Sequence, residues 1–80
     1  MSVRRLSAPR PARVEPDAGG RPATVATEAV ESIAEEWVVE DRWWTGRPLR
    51  RHYFELILDG GRNVVVFHDL GGGTWFEQRS

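Results

Sequence analysis

Two histidines and one aspartate are the residues of this chain whose types most invite chemistry. His52, His68 and Asp69 supply two imidazoles and a carboxylate, the donor types of a divalent-metal site or an acid–base couple. Both histidines fall in segments that alternate like strands, so neighbouring strands would bring them near each other. One carboxylate and two imidazoles are nonetheless a thin set, and all three are equally at home as satisfied strand residues. No Ser/His/Asp order, phosphate-binding loop or paired-aspartate motif stands out. Gly71-Gly72-Gly73 is followed by no helix, so it reads as a turn and not as a phosphate cradle. The expectation is a chain that is not an enzyme, with no catalytic residues, no cofactor and no metal.

The second candidate is aromatic. In Trp43-Trp44-Thr45-Gly46-Arg47-Pro48 the two indoles are adjacent, and adjacent strand residues point to opposite faces. One Trp can enter a core, which leaves the other beside Arg42, Arg47, Arg50 and Arg51. Exposed aromatics amid arginine stack bases and neutralise phosphates. The same pairing marks the energetic centres of protein interfaces. Alternatively the second Trp packs under the 45–49 loop with arginine stems lying over it. The candidate partner- or DNA-binding residues are thus Trp43, Trp44, Arg42, Arg47, Arg50, Arg51 and Tyr53. The acidic series Glu28, Glu31, Glu35, Glu36, Glu40 and Asp41 reads as a solvated face. It also suits a basic partner, including this chain's own arginine-rich arm, in cis or between copies.

The elements that must position these residues belong to one small domain. Eighty residues bury only about 60% of the surface the unfolded chain exposes. With no cysteine, disulfides and thiolate metal sites are excluded, so four Trp, three Phe and one Tyr must supply the core. No apolar run is long enough to span a membrane, and Met1-Ser2-Val3-Arg4-Arg5-Leu6 lacks the apolar stretch of a signal peptide, so the cytoplasm is the expected location. All eleven basic residues are arginine, as in a GC-rich bacterium. The net charge of −1 hides a sorted chain: +4 over residues 1–13, −7 over 14–41, +3 over 42–62 and −1 over 63–80. Such sorting bears on partners rather than on fold.

Residues 1–12, with Pro9, Pro11 and three of the arginines, read as a flexible arm, and 13–80 as a single β domain. Val14 to Pro16 predicts a short strand, Asp17-Ala18-Gly19-Gly20 a turn, and Pro22 to Thr27 the returning strand. Thr27 to Glu36 is ambiguous. Val30, Ile33, Ala34 and Trp37 fall at helical spacing, while Ile33, Trp37 and Val39 would share one face of an extended strand. From Arg50 the alternation is clean: His52, Phe54, Leu56 and Leu58 on one face, Arg51, Tyr53, Glu55 and Ile57 on the other. Asp59-Gly60-Gly61 predicts a three-residue hairpin turn, Asn63 to His68 a strand, and Thr74 to Gln78 a last strand. The fold class is all-β: a small antiparallel meander or open barrel of five or six strands, of SH3-like size, with a possible short helix within 27–36. The oligomeric state is not legible, although the last strand, as an exposed edge, invites pairing.

Trp37-Val38-Val39-Glu40-Asp41-Arg42-Trp43-Trp44, Arg51-His52-Tyr53-Phe54, Val66-Phe67-His68-Asp69-Leu70 and Trp75-Phe76-Glu77-Gln78 together resemble a small, uncharacterised bacterial domain. That domain ends some ImuB-like proteins, relatives of the Y-family polymerases, and also occurs as a free-standing protein. The resemblance covers about residues 9–78 and includes the opening hairpin at Val14 to Val25. It departs where such domains carry a longer second hairpin, here cut to Ala26-Thr27-Glu28-Ala29. The resemblance implies a non-enzymatic accessory role in translesion synthesis and DNA damage tolerance. The implied partner is an ImuB-like or other translesion polymerase component, and the aromatic–arginine cluster adds single-stranded DNA as a second candidate partner. It implies no catalytic residues.

Overall fold

The computed structural model describes residues 9–41 and 49–78, and every regular element among them is a β-strand. These are β1 (Arg10–Pro11), β2 (Val14–Pro16), β3 (Pro22–Val25), β4 (Glu28–Asp41), β5 (Leu49–Leu58), β6 (Asn63–Asp69) and β7 (Trp75–Gln78). All pairings are antiparallel, in the order β1-β7-β6-β5-β4-β3-β2, and the sheet curls into an open half-barrel. The class is the all-β one that the alternation predicts. No helix of the described residues is long and apolar enough to cross a membrane.

β5 runs through the middle of the sheet and its alternation sets both faces. On the inner face Phe54, Leu56 and Leu58 meet Val64 and Val66 of β6 and Val25 of β3 in one buried cluster, flanked by Val14, Val30, Ile33 and Trp75. β2 and β3 reach this cluster because the sheet bends along β4, whose fourteen residues serve two partners. Two register shifts produce the bend, one between Val30 and Ser32 and one between Ile33 and Glu35. Each leaves an extra residue on β4, Glu31 and Ala34, which kinks the strand and increases its twist. Ion pairs then tie the curled edge down: Arg21 to Glu36 at 3.3 Å and Arg62 to Glu28 at 2.8 Å.

The bulges also correct the reading of 27–36, which contains no helix. Val30 and Ile33 both face the core although three residues apart, because the bulge at Glu31 inserts a residue between them. The second bulge, at Ala34, sends Ile33 inward and Trp37 outward, so these two do not share a face. Nearby the shortened hairpin turns through only Ala26 and Thr27, with Val25 opposite Glu28 and φ of 50° and 73°. Two successive positive φ values define the turn that matches strand twist, but neither residue is of the Asn or Gly type it favours. The other turns use the residues the sequence singles out. Gly60 and Gly61 have φ of 99° and 89°, and Leu58 N–H donates to the Arg62 carbonyl at 2.8 Å across the three-residue loop.

The strand missing from the expected five or six is β1. Arg10 and Pro11, assigned to the flexible arm of 1–12, pair with Glu77 and Phe76, and Ala12 N–H donates to the Trp75 carbonyl at 2.9 Å. Arg10 to Ala12 therefore belong to the sheet edge, and the last strand is not that edge. Both edges, β1 and β2, are two or three residues long and contain a proline, features that blunt edge-to-edge pairing.

Candidate interaction face

The outer face carries the alternate residues of the same strands, and there the register builds one aromatic row. Trp37 on β4 lies opposite Tyr53 on β5, Tyr53 opposite Phe67 on β6, Phe67 opposite Phe76 on β7, and Phe76 opposite Pro11 on β1. The rings touch in sequence. Trp37 stacks on Tyr53 with centroids 5.3 Å apart and planes within 5°, Tyr53 meets Phe67 at 4.9 Å, and Phe67 stacks on Phe76 at 5.1 Å. Each such pair is worth about 0.5–1.5 kcal/mol beyond its buried area. Arg51 completes the row from above. Its guanidinium carbon sits 4.4 Å from the Phe67 centroid, and its Nη1 donates to the Tyr53 hydroxyl at 3.1 Å. Phe67 is consequently only 1% exposed although it lies outside the inner core, whereas Trp37, at the end of the row, is 38% exposed. Arg51 Nε is buried with no acceptor among the described residues.

Beside the row lies an open depression of about 860 Å³ lined by Trp37, Val39, Tyr53, Glu55, Val65 and Gln78, among others. Its polar lining holds Glu55 and Glu77 beside Arg62, Asn63 and Gln78. Glu35 and Glu55 are directly opposed across β4 and β5, an arrangement that costs stability unless a cation or donor intervenes. Asn63 Nδ2 donates to Glu55 at 3.2 Å, but Glu35 has no partner among the described residues. Asp69 shares this face opposite Arg51, and its Oδ1 is occupied by the Gly71 and Gly72 amides at 3.0 and 3.3 Å.

Of the binding residues expected from sequence, Arg51 and Tyr53 join this face. Arg50 has the opposite parity and pairs with Glu40 at 3.1 Å. Arg42, Trp43, Trp44 and Arg47 lie outside the described residues. Trp37, Phe67 and Phe76 were not expected as a site, because only cross-strand register shows that they share a row.

His52 and His68 are register partners on the inner face. Each stacks on a ring, His52 on Phe54 at 4.2 Å and His68 on Trp75 at 4.4 Å, and His52 Nε2 is hydrogen-bonded to Glu36 at 2.9 Å. Asp69 faces the other way and caps its own turn, so the three groups do not converge. Among the described residues no three His, Cys, Asp or Glu side chains are placed to hold a metal ion. No protein-family model matches the chain, and no curated protein or solved structure matches it.

Proposed function

We propose that this chain is a non-enzymatic interaction module of damage-tolerant DNA synthesis in the bacterial cytoplasm, docking a polymerase-related protein through its outer aromatic row. The observation that carries the docking is the row itself, Trp37–Tyr53–Phe67–Phe76 with Arg51 over it. Tryptophan, tyrosine and arginine in one packed patch are the residue types that dominate binding energy at protein interfaces. An antiparallel sheet with a core on one face ordinarily leaves the other face polar, and here a row of four rings crosses it. The choice of partner class follows from the likeness of Trp37 to Gln78 to the domain that ends ImuB-like proteins.

Single-stranded DNA is the second reading, because flat rings on an open sheet also stack bases. The described outer face weighs against it: Glu35, Glu55 and Asp69 outnumber Arg51 and Arg62, the latter already paired with Glu28, and phosphates demand the reverse balance. Fluorescence anisotropy of the full chain against an ImuB-like protein, and separately against a single-stranded oligonucleotide over a salt series, separates the two. Saturable binding to the protein with shallow salt dependence is the expected result. Steeply salt-dependent oligonucleotide binding without protein binding would transfer the row to DNA, and binding to neither would sink both readings.

A further inference from the structure

Among the described residues, Ala26 and Thr27 are the non-glycine positions with positive φ, at 50° and 73°. They alone join β3 to β4, and they sit in the left-handed region that L residues avoid and a β-branched threonine avoids most. We propose that this strained turn is a hinge, and that two copies of this chain exchange the segment Arg10–Val25, with β3 and β4 running on as one strand through Ala26 and Thr27. This goes beyond the partner reading and does not depend on it.

Three observations converge. The first is that the strain has a simple release. Extending both residues into the β region removes the left-handed backbone, and Val25 then cannot lie opposite Glu28 of its own chain. Short hinges under strain invite exchange for this reason. The second is how the segment is held. Only Ala12 and Arg13 separate β1, at one edge of the sheet, from β2, at the other, so Arg10–Val25 spans both edges and moves as one unit. Its ladders to the rest of the chain are short: Arg10 and Pro11 on β7, Thr24 and Val25 on β4. Its share of the core is not small, since Val25 is 2% exposed within the buried cluster and Val14 packs against it. An opened chain therefore exposes its core, and the segment of a second copy covers it with the same contacts. The third is room. Ala26 and Thr27 are both exposed, so two extended hinges can pass antiparallel, with Val25 of each copy opposite Glu28 of the other. The exchanged dimer keeps the β1–β7 and β3–β4 ladders and loses the strain at both hinges.

The test uses the full chain, which has no cysteine. Closure within one chain competes at an effective concentration of about millimolar, so refolding at that concentration should yield dimer, read by sedimentation or light scattering. Thr24 and Ala29 are directly opposed on β3 and β4, near enough for a disulfide. On a non-reducing denaturing gel, oxidised Thr24→Cys/Ala29→Cys should run as a covalent dimer from the dimer fraction and as a single chain from the monomer fraction. Ala26→Asn with Thr27→Gly suits the closed turn and should weaken dimerisation by about tenfold or more. Monomer alone at every concentration overturns the proposal. A dimer whose disulfides all lie within single chains overturns it too, since such a dimer associates through a surface. So does dimerisation that Ala26→Asn with Thr27→Gly leaves unchanged.

Discussion

The two faces of this sheet are made by alternate residues of the same strands, yet they are built differently. The inner face is aliphatic and closed: Leu56, Leu58, Val64 and Val66 pack around Phe54, and the β2–β3 hairpin curls over them with Val25. The outer face is aromatic and open. Its four rings form one line across four strands, with Arg51 over the middle and Trp37 reaching solvent at one end. Aliphatic side chains fill an irregular enclosed volume well, and a thin domain needs such a core to fold. Of the flat rings along this register level, Phe67 is as buried as the core, Tyr53 and Phe76 are half-buried, and Trp37 is the one that reaches solvent. Under the proposed function, stability rests chiefly on one face and recognition on the other.

Substitutions can break or sharpen that division. The largest effect is expected on the inner face, where Leu56→Ala should cost about 2–5 kcal/mol in urea or thermal unfolding. That is a large share of the roughly 4–12 kcal/mol expected of 80 residues. Phe67→Ala should come next at about 3 kcal/mol, because this outer ring is as buried as the core. A loss below about 1 kcal/mol would mean that the row is not packed as a unit. Ala26→Asn with Thr27→Gly should raise stability by about 1 kcal/mol, since both positions need positive φ. Unchanged stability would say that the turn is not strained. Smallest of all, Glu35→Gln should stabilise by a few tenths of a kcal/mol at low ionic strength, and the gain should shrink with added salt.

How much of this was legible in the sequence depended on how local each feature is. The faces of β5 followed from alternation within ten residues, and the turns at Asp17, Asp59 and Asp69 from Asp and Gly types. β4 was obscured by its bulges: extra residues at Glu31 and Ala34 stretch the apolar spacing from two to three and imitate a helix. β1 was missed because two residues of a proline-rich segment pair with a strand more than sixty positions away, which no local propensity encodes. The aromatic row failed to show for the same reason. Tyr53 was placed outward, but its neighbours Trp37, Phe67 and Phe76 are set by the register of three separate pairings. The adjacent Trp43 and Trp44 drew attention through local sequence and lie outside the described residues.

The central claim, that the outer row is a docking surface, is tested most directly by the affinity of an ImuB-like protein for Trp37→Ala, with Val38→Ala as a control. Val38 neighbours Trp37, has the opposite parity and is more exposed. The account predicts about tenfold weaker binding for Trp37→Ala, equivalent to about 1.4 kcal/mol, while Val38→Ala binds like the parent and both variants stay folded. Equal affinity for all three chains would contradict it.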